Sequence, residues 1–423
     1  MAKITGGRDP QRAPAAVFLR CVSERDGTEI CPWQQAQSVK ETQWCVTMQI
    51  PTGGPYRLES CAKLPEQPFA DAVGGDMRLH VFVGDLYLIA GQSNAAGYAR
   101  DAVPDAPCVG ISVLRLNGRW DLAAHPLNDG TDMIRDNLEV PVPAHSPWLT
   151  FCRTLYCHTG VPVGLIPTAL GGSPIHSWLP GGMLYENAKR IALEAGPLTG
   201  VLWYQGCTDA MAYDTENYGA RFRQMVTSFR RDLRLENLPF FTCQLNGFAD
   251  GGTREDDRAW AELRRAQALA ALQENVYMLP TAGLELYDQI HNNARSNTVI
   301  GRQMAMQALG ALYGGKLRCT PPAVTAVETA ENRLILTLSP VEDVLVAKCT
   351  ARDAFLATRG TVTMTITALR AEGKKLILEG PDLQLAEHLS YAQTRDLTGA
   401  GIYDKRGHWM LAPFQISIKK ERG

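Results

Sequence analysis

The sequence contains no apolar run approaching the ~18–20 residues that a membrane-spanning helix needs. Its first residues, MAKITGGRDPQRAP, hold no hydrophobic stretch of the kind a secretory signal carries. Neither sign of charge is in excess: 42 Lys and Arg stand against 44 Asp and Glu, a net charge of −2. Nothing in that balance marks a nucleic-acid or anionic-membrane partner. The eleven cysteines occur singly, without the CxxC or Cys/His spacing of a zinc site, and read as reduced, buried thiols. There is no internal repeat and no low-complexity tract. These absences lead us to expect a cytoplasmic, metal-free protein that binds neither nucleic acid nor membrane. They leave its oligomeric state open.

What is present is a chain too long for one ordinary core. It has 423 residues, and single cores stop growing near ~250–300. Up to Val83 the pattern is short and strand-like: TQWCVTMQIP, the turn TGGP, YRLES, then RLHVFVGD. From Leu86 the rhythm changes. Short apolar runs at LYLIA, VPVGLI, GVLWY, PFFTCQL and VYMLPTA alternate with helical patterns, the signature of a doubly wound α/β domain with a parallel sheet. Among the helical patterns, SPWLTFCRTLYCHTG offers Ser146 as an N-cap and Gly160 as a stop. From Lys316 onward strands return at RLILTLS, VTMTITAL, KKLILEG and PFQISIK. The expected domains are a β-rich part over residues 1–83, an α/β part over 84–315 and a second β-rich part over 316–423.

Open parallel sheets bind ligands beyond the carboxyl ends of their strands, so the residues following each run carry the functional reading. LYLIA is followed by Gly91-Gln92-Ser93-Asn94, a serine on a strand-to-helix turn able to present its hydroxyl and its own N–H. A serine that merely caps a helix is the competing reading. VPVGLI is followed by Gly171-Gly172, a pair able to turn an N–H toward an oxyanion, or simply a loop. GVLWY is followed by Gln205, whose amide is a further candidate donor. The last strand is followed by Asp288-Gln289-Ile290-His291, which offers a base and its carboxylate in one turn. A helix cap with a surface histidine is the plainer alternative.

Read together, AGQSNAAG, GGSPIHSW, WYQGCTDA and YDQIHNNARSNTVIGRQMA resemble the SGNH-hydrolase branch that contains sialate O-acetylesterases and related acetylxylan esterases. The likeness extends into both flanks, through PTGGPYRLES and GIYDKRGHWMLAPFQI. It implies a flavodoxin-like SGNH domain flanked by sandwich-like β-rich parts, with Ser93 as nucleophile, His291 as general base and Asp288 as its orienting carboxylate. The oxyanion hole it implies combines the Ser93 N–H, the Gly172 (or Gly171) N–H and the Gln205 side chain. Water would hydrolyse an acyl-enzyme at Ser93 without metal or organic cofactor. Gln92, Asn94, His176 and Arg295 are the candidate substrate contacts, with Arg295 (or Arg100) suited to pair with a sugar carboxylate. Tyr98, Trp178 and Trp203 are either sugar platforms or core aromatics.

Two positions depart from the family pattern, which usually has Glu where Cys207 stands and often Glu where His176 stands. Cys207 itself reads as a packing residue rather than a nucleophile. The favoured activity is O-acetyl removal from a carbohydrate, with O-acetylated sialic acid ahead of acetylated xylan. A noncatalytic carbohydrate-binding relative is the alternative from another class, and a lipase or thioesterase ranks last for want of an apolar lid.

Overall fold

Where both faces of a sheet are covered, its strands become continuous apolar runs, and the five such runs in this sequence all become strands of one sheet. The structure, a computed structural model, describes residues 2–7, 15–40, 43–64, 66–101, 103–129, 144–314, 320–397, 399–406 and 409–418. The sheet is built from β1 (Asp85–Gly91), β2 (Ile111–Leu114), β3 (Trp120–Leu122), β4 (Val163–Pro167), β5 (Gly200–Tyr204), β6 (Phe240–Cys243) and β7 (Val276–Leu279). Its spatial order is β3-β2-β4-β1-β5-β6-β7. β1, β5, β6 and β7 run parallel. β4 joins them in the same sense, because Thr168 N–H reaches Ile89 O and Leu170 N–H reaches Gly91 O in rising register. Every residue of β4, β5 and β6 is buried. The strand order reverses between β1 and β5, so the expected ligand position lies beyond their carboxyl ends.

Seven α-helices lie among the described residues: α1 (Ser93–Ala96), α2 (Trp148–Thr159), α3 (Met183–Ala195), α4 (Cys207–Met211), α5 (Tyr218–Leu233), α6 (Arg254–Ala270) and α7 (Ala294–Leu312). Side chains of α3, α5 and α6 share one apolar cluster with Leu88, Ala90, Val201 and Trp203 of the sheet. Trp178 and Trp203 meet there edge to face at 5.3 Å, both fully buried. Burying a large apolar side chain contributes about 1.5–3 kcal/mol, which favours the core reading of both tryptophans over a sugar platform. On the opposite face Phe151 of α2 packs against Tyr87 of β1 at 5.0 Å. α6 starts in a capping box between Thr253 and Asp256, and α7 is capped by Asn293, which accepts the Ser296 N–H at 2.8 Å. Gly160 ends α2 as expected, with φ +67. Ser146 does not cap that helix: its buried hydroxyl makes no hydrogen bond.

Contacts divide the chain into two compact units, residues 1–85 with 109–112 and 156–164, and residues 86–108 with 113–155 and 165–423. The first carries a four-stranded antiparallel sheet (Glu29–Gln35, Ala16–Ser23, Gly53–Lys63, Val73–Val83) and a three-stranded one (Ala2–Gly7, Gln43–Met48, Gln37–Lys40). Leu19, Cys21, Val46, Met48 and Leu58 form its core. The second unit includes three antiparallel sheets after residue 320, around a core of Leu334, Leu336, Leu376, Leu389 and Tyr391. The parallel α/β sheet is thus accompanied by antiparallel sheets at both ends of the chain. The expected boundary at 315/316 lies outside the described residues. No helix among those described is long and apolar enough to cross a membrane.

Candidate active site

β1 and β5 meet so closely at the switch point that Gly91 is required. Its φ is +126, and an added Cβ would run into the Tyr204 carbonyl oxygen. The chain then turns into α1 with Ser93 as its first helical residue, leaving the Ser93 N–H without a partner inside the helix. Gln92 fixes this turn. Its N–H donates to Tyr204 O at 2.9 Å, and its Oε1 accepts the N–H groups of Gly206 at 3.0 Å and Thr208 at 3.3 Å.

The partner loop follows β7. Tyr287 N–H donates to His291 O at 2.7 Å, closing a turn around Asp288. Asp288 Oδ1 accepts the N–H groups of Ile290 (2.9 Å) and His291 (2.8 Å), while Oδ2 lies 2.7 Å from His291 Nδ1. Burial works to raise the Asp288 pKa, but these hydrogen bonds outweigh it and hold the carboxyl below the usual range. A carboxylate at Nδ1 selects the tautomer with its proton on that nitrogen. Nε2 is then a free base, and it lies 2.8 Å from Ser93 Oγ. Tyr98 packs its ring against the His291 imidazole at 4.9 Å. The arrangement can lower the barrier for hydroxyl attack on a carbonyl.

Asparagines lock this loop to α1. Asn94 Oδ1 accepts the Asn292 N–H at 3.0 Å, and its Nδ2 donates to Ile290 O at 3.3 Å. Asn246 Nδ2 donates to the same Ile290 carbonyl at 2.6 Å. Tyr204 Oη donates to Asn292 Oδ1 at 2.6 Å. Asn246 was not identified from sequence, where it is an ordinary loop residue whose only visible cue is that it follows a buried strand.

Two expectations, for Gln205 and Asn94, need correction. Gln205 is fully buried, and its two amide protons go to Ser173 O at 3.1 Å and to Asp209. It has no donor left for an oxyanion and instead ties the Gly171-Gly172 loop to the end of β5. Burial pushes the Asp209 carboxyl up, and its oxygens also accept the Ile175 N–H. Asn94, 3% exposed, spends both polar atoms of its amide on the framework, so it holds the site rather than facing substrate; Gln92, equally buried, commits its Oε1 to the end of β5. His176 and Arg295 are exposed. Gly172 is exposed at φ +68, with open space where a Cβ would stand. Burial pushes the Cys207 thiol up to about 12, an inert group rather than a nucleophile.

Asp105, His125 and His145, which no motif in the sequence singles out, bring donor atoms within 4.8 Å of one another. The Asp105 carboxylate receives Arg153 at 2.7 Å, His125 Nε2 at 3.0 Å and Thr150 Oγ1 at 3.1 Å, while His145 Nε2 lies 3.2 Å away without the alignment of a hydrogen bond. Despite burial, the His125 hydrogen bond, the adjacent His145 imidazole and the Arg153 charge hold it well below the usual range. Metal-bound imidazoles ordinarily donate from their second nitrogen, yet neither buried Nδ1 here has a partner. With Arg153 already supplying a cation, an ion-pair hub pinning this loop accounts better for the cluster than a metal centre.

A doubly wound sheet with a serine after its first strand and Asp-x-x-His after its last defines the SGNH class of hydrolases. Residues 83–310 match the family model for carbohydrate esterases described as sialic acid-specific acetylesterases, and the chain belongs to that family. It is therefore a carboxylic ester hydrolase acting on a carbohydrate. A probable carbohydrate esterase of Arabidopsis thaliana is 29% identical over 53% of this chain and 90% of its own length. The sialate O-acetylesterase of Pongo abelii is 22% identical over 72% of this chain and 67% of its own length. Among solved structures, a carbohydrate acetylesterase from Xanthomonas citri is similar with a TM-score of 0.69, covering 98% of this chain and 95% of that one at 21% identity. That likeness bears on the fold.

Proposed function

We propose that this chain is a serine O-acetylesterase whose nucleophile is Ser93, with His291 as base and Asp288 as its carboxylate, and that O-acetylated sialic acid is its substrate. The observation that carries the reading is the position of His291, 2.8 Å from the Ser93 hydroxyl and 2.7 Å from the Asp288 carboxylate. In the acylation step Ser93 Oγ attacks the acetyl carbonyl carbon while Nε2 takes its proton. The oxyanion is met by the N–H groups of Ser93 and Gly172. As the tetrahedral intermediate collapses, the imidazolium returns the proton to the departing sugar oxygen, and acetyl remains on Ser93. Water, activated by the same nitrogen, releases acetate. No step calls on a cofactor.

The preference for sialate is supported by the family description and by the Pongo abelii relative. Acetate release is measured from a panel of O-acetylated sialic acids and acetylated xylan, with wild type and Ser93→Ala. The expected result is faster release from sialate and a loss of at least about 10³-fold in the variant. Faster release from xylan overturns the substrate and leaves the chemistry; binding without turnover, unchanged in Ser93→Ala, overturns both.

A further inference from the structure

The loop after β6, residues 244–250, grips the His291 loop at two consecutive carbonyls. Ala249 N–H donates to Gln289 O at 2.8 Å, and Asn246 Nδ2 donates to Ile290 O at 2.6 Å. The other side of the same loop is held by the C-terminal β-rich part. Phe248 N–H donates to Arg395 O at 2.8 Å, and the Arg395 side chain pairs with Asp250. Arg264 of α6, 1% exposed, bridges the two. It donates to Leu245 O at 3.0 Å and Asn246 O at 2.7 Å on the loop, and to Ala392 O at 3.1 Å and Thr394 O at 2.7 Å on the C-terminal segment.

We propose that Asn246 is a positioning residue for the esterase reaction and that Arg264 makes the C-terminal segment 392–395 a brace for it, so that antiparallel structure outside the catalytic sheet sets the placement of His291. This rests on the reading of Ser93 and His291 as nucleophile and base. A buried guanidinium that faces carbonyls rather than a carboxylate is a costly group. What it gains is geometry: its planar fork fixes four carbonyl oxygens at once, which the single ammonium of lysine cannot do. The site needs such control, because a 1 Å displacement of a reacting group lowers a rate about 10²-fold. Between Arg264 and the His291 loop the direct hydrogen bonds run from Asn246 Nδ2 and Ala249 N–H, beside the packing of Ile290 on the apolar cluster that holds Leu245 and Trp260.

Asn246→Ala, the isosteric Asn246→Asp and Arg264→Lys are compared with wild type in kcat and KM for acetate release, in thermal melting, and in hydrogen exchange of the amides around residues 287–292. Asn246→Ala is expected to stay folded, lose about 10-fold or more in kcat with KM nearly unchanged, and exchange faster around His291. Asn246→Asp is expected to lose at least as much, since an oxygen then faces the Ile290 carbonyl. Full activity in the isosteric variant reduces Asn246 to a space-filler and overturns the proposal. Arg264→Lys is expected to slow turnover and loosen the same amides; a folded lysine variant with wild-type turnover removes the brace. If Arg264→Lys does not fold, Arg395→Ala, which cuts the pair to Asp250, is expected to show the same two effects, and wild-type behaviour there is the contrary result. Ser93→Ala run alongside separates the two failures. If it turns over normally the reading of the site falls, whereas an inactive Ser93→Ala beside an unaffected Asn246→Ala removes only the positioning role.

Discussion

Asn94 accepts the backbone N–H of Asn292 at 3.0 Å, so the residue after Ser93 directly holds the residue after His291. The two ends of the proposed proton path are thereby fixed to each other by a bond that includes neither the Ser93 hydroxyl nor the His291 ring.

Asn94→Ala removes that bond and the one to Ile290 O. Turnover is expected to fall about 10–10²-fold with KM little changed, because what is lost is alignment rather than a ligand contact. Steady-state kinetics on an acetylated sugar check this. A raised KM with kcat intact is the pattern of the substrate contact suggested by sequence, and contradicts the structural role.

Two glycines that both have positive φ are expected to respond differently. Gly91→Ala strains the backbone and drives its methyl into Tyr204 O where β1 meets β5, a loss exceeding about 3 kcal/mol together with all activity. Gly172→Ala meets open space, and its cost is the left-handed conformation alone, about 1–2 kcal/mol. Urea unfolding of the two variants decides between them.

The Asp105 hub predicts an acid-sensitive stability. Asp105→Asn breaks a buried ion pair and is expected to cost near the low end of about 3–5 kcal/mol, since Arg153 keeps 33% of its side chain exposed. Asp105 has a folded pKa depressed below the unfolded value of about 3.9, so its contribution is complete above that value and disappears as pH falls through the folded one. Burial likewise lowers His125 from 6.5, so its contribution is complete above that pH and declines on acidification. Wild-type stability is expected to decline from about pH 6.5 downward, and its margin over Asp105→Asn to close only below about pH 4. Denaturant titrations between pH 3 and 8 test both.

Cys207, with its thiol pushed up to about 12, is expected to resist alkylation in the native protein, whereas exposed Cys157 reacts. Peptide mapping after iodoacetamide at pH 8 checks this. Cys207→Ser is expected to keep most of the activity; its inactivation would falsify the packing role.

How much of this was legible in the sequence depended on how each residue does its work. The five parallel strands could be read because full burial leaves uninterrupted apolar runs, and Ser93, Asp288 and His291 because they stand where those runs end. β3 could not, since all three of its residues are exposed and carry no apolar pattern. α3 carries only a thin apolar stripe in sequence, Leu184, Ala188 and Ile191 at helical spacing, all of them buried. Gln205 was placed at the right strand end, but sequence cannot say which way an amide turns, and two nearby acceptors claimed it. Asn246 and Arg264 act on backbone carbonyls, which every residue has, so no side-chain pairing pointed to them.

The central claim is that Ser93 becomes covalently modified because His291 takes its proton. Intact-mass and peptide analysis after treatment with a fluorophosphonate tests it most directly. One adduct on Ser93 is expected in wild type, formed at least about 10³-fold more slowly in His291→Ala. Labelling of another residue, or an equal rate in the variant, contradicts it.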